Sequence, residues 1–355
     1  TASLSLAEQG FEVNLVEKEQ ELGGNMRHIH YLLGGEDPRK ELDDIIRKLD
    51  SHPNIKVWKN ASIESIDGFV GNFTTKIKQN KKEIEVEHGV VIVASGAKEY
   101  APTEYLYGSD DNIISQRELE KRLAEKKFDA KNVVMIQCVG SREEGHMYCS
   151  RVCCSIAVKN ALKIKEVSPD TEVFVLYRDM RTYGFNEEYY RQARNEKVLF
   201  IRYDTDGKPE VTNDENIEVS VNEPLLGQRI VLQPDLLVLS SRIDPNTDNE
   251  TIAKMLKIPL NQDGFFLEAH MKLRPVDFAT EGVFLAGLAH SPKNLTETIA
   301  QGEAVAGRAA TIISKKEMNL SAMISEVVDA NCDGCAYCID PCPYNALKLI
   351  EFMRN

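Results

Sequence analysis

Long hydrophobic runs, an excess of basic residues and scattered cysteines are all missing from this 355-residue sequence. No apolar run approaches the roughly 18 residues that a membrane-spanning helix needs, so no direct membrane insertion is predicted. The net charge of -13 argues against nucleic acid or an anionic membrane surface as a partner. All eight cysteines fall in two short segments. Grouped thiols without a dispersed disulfide framework indicate a reducing, cytoplasmic compartment.

The C-terminal cysteine segment has the spacing of a bacterial ferredoxin run, C-x2-C-x2-C-x3-C followed by Pro343. Its candidate metal ligands are Cys332, Cys335, Cys338 and Cys342. In two-cluster ferredoxins the fourth cysteine of such a run binds the other cluster. We therefore expect three ligands for a labile or three-iron cluster here, with Cys342 serving a second cluster beyond Asn355. Zinc is the main alternative, because C-x2-C pairs also form zinc knuckles.

The first cysteine segment follows a predicted buried strand, Asn132–Gln137, and a capping box at Ser115 and Glu118 opens a short helix before that strand. A nicotinamide-binding domain would next show a Gly-rich turn, whereas this chain shows the spacing C-x10-C-x3-C-C. We expect these cysteines to bind one [4Fe-4S] cluster. The candidate ligands are Cys138, Cys149, Cys153 and Cys154. Inert buried thiols and a vicinal disulfide between the last two are the alternatives.

A G-x-G-x-x-G turn is also missing, yet the N-terminal residues fit a dinucleotide-binding fold. Residues 1–10 predict a helix that ends at a glycine, and Phe11–Val16 predict a strand followed by Glu17. In such folds an acidic residue about 20 positions after the Gly-rich turn binds the ribose. That count places the expected turn just before Thr1. We expect FAD binding to need this turn, which roughly 15 upstream residues would supply.

Three further segments resemble those of two-dinucleotide-binding flavoproteins. Adjacent glycines shortly after Glu17 would let the backbone approach a ligand closely. The run Val90–Ala97 resembles the second strand and turn, with Ser95 in place of Thr, although plain strand packing is the alternative. Residues 281–287 resemble the last strand, but Leu288 stands where these proteins usually carry Asp. The candidate FAD-binding residues are Glu17, Lys18, Gly23, Gly24, Asn25, Ala94, Ser95, Gly96, Gly287, Lys293 and Thr296.

A helix is predicted from about residue 294 to residue 314, directly after this last strand. Its N-terminus would carry a partial positive charge of about half a unit and face the flavin ring. Lys293 would add a full positive charge there and shift the one-electron potentials of the flavin. A solvated loop lysine is the alternative, because most lysines are exposed.

The whole sequence resembles the A-type subunit of the heterodisulfide reductases and its bacterial relatives. The most specific match runs from Cys138-Val-Gly-Ser-Arg142 to Tyr148-Cys149-Ser-Arg-Val-Cys153-Cys154. Residues 177–184, 263–266, 270–277 and 291–297 agree with it. The resemblance implies an oxidoreductase subunit with FAD and several [4Fe-4S] clusters that splits electron pairs at the flavin. It also implies a hetero-oligomer with other subunits and a hydrogenase or formate dehydrogenase as electron donor. Family members normally begin upstream with the Gly-rich turn and end with two ferredoxin clusters, so a fragment is expected.

The expected fold is α/β: a Rossmann-like FAD domain, an inserted thioredoxin-reductase-like domain with the cluster loop, and a C-terminal ferredoxin-like (α+β) segment. The predicted bounds are 1–100 and 241–318 for the FAD domain, 101–240 for the insertion and 319–355 for the last segment. No C-x-x-C pair occurs outside the ferredoxin run, which favours one-electron relay over thiol exchange. Two other functions stay open: the flavoprotein subunit of a quinone-interacting complex, and a zinc-stabilised interaction module.

Overall fold

The computed structural model describes residues 1–80, 82–225, 227–319, 325–342 and 346–350. Pro343 of the predicted ferredoxin run lies outside these residues. The α-helices of the described residues are α1 (Ala2–Glu8), α2 (Pro38–Ser51), α3 (Gln116–Ala124), α4 (Cys153–Val167), α5 (Glu187–Asn195), α6 (Asn249–Leu256) and α7 (Leu295–Ile313).

The strands of the N-terminal part are β1 (Val13–Val16), β2 (Ile55–Trp58), β3 (Ala61–Phe69), β4 (Asn72–Gln79), β5 (Lys82–His88), β6 (Val91–Val93) and β7 (Ala97–Glu99). The strands of the middle part are β8 (Ile113–Ser115), β9 (Asn132–Val139), β10 (Glu172–Tyr177), β11 (Leu199–Arg202), β12 (Glu210–Asn213), β13 (Ile217–Glu223), β14 (Gln228–Leu232) and β15 (Leu236–Ser241). Two more strands follow, β16 (Ile243–Pro245) and β17 (Val283–Leu285).

A five-stranded parallel sheet with the order β11-β10-β9-β15-β8 forms one centre of the fold. Its inner strands carry continuous buried apolar runs, Val133–Ile136 in β9 and Leu236–Leu239 in β15, as expected for strands that are covered on both faces. Helices α3, α4 and α5 pack on one face. The antiparallel sheet β12-β13-β14 packs on the other. This layering exposes the carboxyl ends of β9 and β15 at one edge.

Two parallel strand pairs, β1-β2 and β6-β17, belong to the second centre of the fold. Leu6 of α1, Val13 of β1, Ile92 of β6, Phe284 of β17 and Ala306 of α7 share one hydrophobic cluster. The antiparallel sheet β3-β4-β5 adds a third group of strands. Helix α7 therefore lies against the strand pair whose carboxyl end it follows in sequence.

The chain passes twice between the two centres, and the two crossings pair with each other as antiparallel β7 and β16. Beside them the Arg242 guanidinium lies 3.6 Å from the centroid of the Tyr100 ring. Gly140 packs against both side chains with φ 67°, and a Cβ there would lie 2.6 Å from Arg242 Nη1. The glycine of the Cys138-Val-Gly-Ser motif is thus required by the junction.

Several predicted elements are confirmed, with shifted ends. The predicted N-terminal helix forms α1, while the following strand begins at Val13, two residues later than predicted. The strand predicted to stop at Gln137 continues to Val139, because a register shift in β15 between Leu239 and Ser241 allows β9 to stay paired. Helix α7 matches the helix predicted after the last strand.

The ferredoxin-like fold predicted for residues 319–355 is not confirmed by the part of this segment that the structure describes. In the described residues between 325 and 350 there is one short 3-10 helix, Asp329–Asn331, and no strand. The ferredoxin-like segment therefore stays a prediction. Among the helices that the structure describes, none is both long and apolar enough to cross a bilayer.

Candidate functional site

Four thiols gather at the carboxyl end of the five-stranded sheet. Cys138 lies near the end of β9, Cys149 lies in the loop that follows, and Cys153 and Cys154 begin α4. Burial raises the pKa of Cys153 well above its ordinary value, and the other three thiols raise it further. Burial also raises the pKa of Cys154 to about 11, where the backbone and charge of Arg181 oppose the shift and Cys138 and Cys149 add to it. The four thiols therefore act on one another directly, and Cys153 and Cys154 are not joined in a disulfide.

The loop that carries these thiols has an unusual backbone. Cys138, Arg142 and Arg151 have φ angles of 64°, 61° and 60°, a left-handed conformation that is uncommon for residues other than glycine. The loop is held by the Arg142 N–H, which donates to His146 O at 2.7 Å, and by Ser141 Oγ, which donates to Tyr148 O at 2.7 Å. Such backbone strain persists only where surrounding contacts enforce it, and it concentrates at functional sites.

Buried donors without partners flank the thiols. The buried side-chain atoms without a hydrogen-bond partner in the described residues are Gln137 Oε1, Arg142 Nη1, Arg178 Nε and Ser241 Oγ. Burial raises the pKa of Cys138, whereas Arg142 and Arg178 lower it. The Cys153 thiol lies 3.6 Å from Ser241 O. Three of the four orphaned atoms can donate, so an acceptor-rich group such as an iron–sulfur cluster would match their chemistry.

The C-terminal cysteines occupy an exposed loop. Cys332, Cys335 and Cys338 are exposed and Cys342 is half-buried. The Cys335 N–H donates to Asp333 Oδ1 at 3.1 Å, which forms a local turn. Across the described ranges, no three His, Cys, Asp or Glu side chains are grouped so that they could hold a single metal ion. The same finding covers Cys138, Cys149, Cys153 and Cys154, so the role of both sets of cysteines as metal ligands stays a prediction.

The residues predicted near the adenine half of FAD lie in two loops that touch. Asn25 Nδ2 donates to Ala97 O at 2.9 Å and so joins the loop after β1 to the residues after β6. Gly24 and Gly96 have φ angles of 46° and 78°, and a Cβ on either would meet no heavy atom within 4 Å. Open space therefore lies beside both glycines. Gly23 differs, because a Cβ there would lie 2.7 Å from Leu42 Cδ2, and its φ of 113° also favours glycine. Its contact with a cofactor stays a prediction.

Other predicted residues are engaged by the protein itself. Glu17 Oε1 accepts from the Glu19 N–H at 2.9 Å. Lys18 Nζ pairs with Asp248 Oδ2 at 2.6 Å, on the exposed surface. Ser95 Oγ donates to the buried Asn249 at 3.0 Å. Ala94 and Thr296 are exposed. These residues border the two loops, and their contact with a cofactor stays a prediction.

Lys293 is buried, with 9% of its surface exposed, so it is not the solvated loop lysine of the alternative interpretation. Its ammonium group donates to Gly287 O at 2.7 Å and to Ser291 O at 3.1 Å. Burial lowers its pKa to about 8, and the nearby Arg151 charge lowers it too, against the opposing carboxylates of Glu297 and Glu268. A cation that is mostly charged at neutral pH therefore sits between β17 and α7.

Two partners of this region escaped the sequence analysis. Arg151, inside the cysteine motif, forms an ion pair with Glu297 of α7 at 2.6 Å. His290 lies 2.9 Å from both Glu268 Oε2 and Gln301 Nε2, and Gln301 Oε1 accepts from the Gly287 N–H at 2.8 Å. Burial and Lys293 lower the pKa of His290. The only sequence signal was the position of Arg151 between Cys149 and Cys153.

Comparison with solved structures shows the fold. The chain is similar to thioredoxin reductase of T. acidophilum, with a TM-score of 0.59, 14% identity, and coverage of 88% of this chain and 94% of that one. The thioredoxin reductase of Lactococcus lactis gives the same TM-score at 16% identity, with the same two coverages. The predicted Rossmann-like α/β fold of the two-dinucleotide-binding flavoprotein type is therefore confirmed.

Comparison with known sequences shows the family, although no protein-family model matches the chain. The second A-type iron-sulfur subunit of the CoB–CoM heterodisulfide reductase of Methanopyrus kandleri is 33% identical over 99% of this chain and 68% of its own length. The A-type subunit of the H2/formate:CoB-CoM heterodisulfide,ferredoxin reductase of Methanococcus maripaludis is 30% identical, with the same coverages. The chain belongs to the family of heterodisulfide reductase A-type subunits, which are parts of oxidoreductases.

Proposed function

We propose that this chain is an electron-transfer subunit that binds FAD and iron–sulfur clusters in a heterodisulfide reductase-type complex. The observation that carries the proposal is the gathering of Cys138, Cys149, Cys153 and Cys154 beside buried donors that lack partners. Four thiols of this kind are the ligand set of a [4Fe-4S] cluster. The Methanopyrus kandleri relative is named an iron-sulfur subunit, which supports the same assignment.

FAD would lie along the open side of Gly24 and Gly96 and reach the start of α7. When bound, it would exchange electrons both in pairs and singly. The protein holds the two glycine loops together through Asn25. Lys293 and the N-terminus of α7 supply positive charge at the other end. These groups would bind and orient the cofactor and would favour electron density on it.

The names of the relatives support a proposal for the partners and the compartment. The Methanococcus maripaludis relative is named for hydrogen or formate, a heterodisulfide and ferredoxin together. We infer further subunits, a hydrogenase or formate dehydrogenase as the donor, and a hetero-oligomer in the cytoplasm. The name of this relative contains two electron acceptors, a heterodisulfide and ferredoxin. Two acceptors support the splitting of electron pairs at FAD. The ferredoxin run Cys332 to Cys342 would pass single electrons between subunits.

The test is the iron content and visible spectrum of protein purified without oxygen. Cys153→Ser should remove about four irons per chain, because one ligand of a cubane is lost. Cys332→Ser is the matched comparison and should leave the iron held by the first cysteine segment in place. Unchanged iron in Cys153→Ser would contradict the assignment, and stoichiometric zinc without visible absorption would support the interaction-module alternative.

A further inference from the structure

Arg151 connects two regions that are far apart in sequence. Its side chain leaves the cysteine loop and reaches the segment around the start of α7. Nη2 donates to Glu297 Oε1 at 2.6 Å, and Nη1 donates to Pro292 O at 3.2 Å. Nη2 also lies 3.0 Å from the Tyr183 hydroxyl. One guanidinium group thus contacts two other segments of the chain, the start of α7 and the loop at Tyr183.

The backbone of Arg151 is bound to the thiol group itself. Its N–H donates to Cys149 Sγ at 3.3 Å. Its φ angle of 60° places it in the left-handed region, which costs free energy unless surrounding contacts enforce it. The side-chain contacts of Arg151 provide that constraint. The position of Cys149 therefore depends on where the Arg151 guanidinium is anchored.

Glu297, the anchor, is part of the N-terminus of α7. Its Oε2 accepts from the Asn294 N–H at 3.2 Å, and its own N–H donates to Asn294 Oδ1 at 2.8 Å. Its other carboxylate oxygen is left for Arg151 and the Tyr183 hydroxyl. The ion pair is therefore fixed in the first turn of the helix next to Lys293, whose pKa the Arg151 charge helps to lower.

We propose that Arg151 is a positioning residue that ties the cysteine loop to the first turn of α7. Its charge acts on both the cluster region and the flavin region. This inference rests on the proposed function. The tether sets the separation between the cluster thiols and the helix. The charge makes both regions more positive, so its loss should lower the reduction potentials of the groups bound there.

The tether is tested first in cofactor-free protein, by the rate at which iodoacetamide alkylates Cys149, measured by peptide mass spectrometry. Arg151→Gln should speed alkylation about three- to tenfold, because a charge-assisted but half-exposed bond is lost. Arg191→Gln is the control, since it removes the charge of another arginine, whose partner is Glu188, and leaves the contacts of Arg151 in place. An unchanged rate in Arg151→Gln would overturn the tether.

The charge is tested in iron-loaded protein by redox titration followed by electron paramagnetic resonance. Arg151→Gln should keep its iron and lower the cluster potential, whereas Arg151→Lys should stay near wild type. The double variant Arg151→Glu/Glu297→Arg should restore slow alkylation while lowering the potential further. If the potentials do not move, the electrostatic coupling is wrong. If wild-type protein holds no iron, the proposed function fails, but the alkylation result still decides the tether.

Discussion

Lys293 shows how burial changes a single residue. Its ammonium is surrounded by the carbonyls of Gly287 and Ser291 rather than by water. These oxygens solvate the charge only in part, so burial dominates and lowers the pKa to about 8. The fold therefore holds a lysine that begins to lose its proton just above physiological pH.

The stability of the protein should depend on pH through Lys293. Its unfolded-state pKa is 10.5 and its folded-state pKa is about 8, so the unfolded state binds more protons between these values. The free energy of unfolding should rise with pH across this window, by about 3 kcal/mol at most. In Lys293→Met this rise should be absent. Urea unfolding at pH 7, 8, 9 and 10 measures it.

The exposed Lys316→Met is the matched control for Lys293→Met and should keep the wild-type pH dependence. A second readout concerns the proposed flavin. Below pH 8, Lys293→Met removes a positive charge, so the reduction potential of bound FAD should fall while the iron content stays constant. If the flavin of Lys293→Met titrates with the wild-type reduction potential, helix α7 alone tunes that potential.

Helix α7 illustrates the element scale, because one residue pair both starts the helix and anchors the cysteine loop. Asn294 caps the first turn, and Glu297 completes the capping box while it pairs with Arg151. Helix α3 has the same box, formed by Ser115 and Glu118. Both helices therefore have the same type of local cap, and α7 has in addition the long-range ion pair with Arg151.

Asn294→Ala should reduce the free energy of unfolding by about 1 kcal/mol, the usual value of a helix N-cap. Ser115→Ala should cost a similar amount. Only Asn294→Ala should also speed alkylation of Cys149, because it loosens Glu297 and hence Arg151. Urea unfolding and the alkylation rate check the two parts. If Cys149 is alkylated at the same rate in both variants, the cap of α7 does not influence the cysteine loop.

At the scale of the whole molecule, a buried polar network joins the N-terminal part to the five-stranded sheet. Lys159 of α4 pairs with Glu120 of α3 at 2.7 Å, and both side chains are less than a tenth exposed. Lys159 also donates to Tyr31 O at 2.9 Å, and the Tyr31 hydroxyl donates to Asn160 at 2.9 Å. Tyr31 belongs to the segment between the glycine loop and α2, so this network holds the two parts in one arrangement.

Lys159→Met should cost about 3–5 kcal/mol of stability, because it leaves the Glu120 carboxylate buried without its cation. Burial already lowers the pKa of Lys159, with Glu120 opposing that shift. The double variant Lys159→Met/Glu120→Gln should recover much of the loss, since a neutral amide oxygen still accepts from the His30 N–H. Chemical unfolding compares the two variants. A double variant as unstable as the single one would contradict the charge argument.

The sequence alone determined the features that depend on neighbours along the chain. The helix α7, the capping box at Ser115 and the buried strand β9 follow from short-range periodicity and hydrogen bonding. The family was also recognisable from the cysteine spacing. The extra length of β9 could not be predicted from the sequence, because it depends on a register shift in β15, about 100 residues away.

Only the tertiary structure decided which side chains meet. Arg151 and Glu297 are 146 positions apart, and no local pattern marks one as the partner of the other. The burial of Lys293 likewise depends on how α7 packs after β17, and the close contact of Gly23 with Leu42 depends on how α2 packs. Spacing along a chain specifies local conformation. Long-range contacts depend on the packing of whole elements, where burial and charge are shared among residues that the sequence keeps apart.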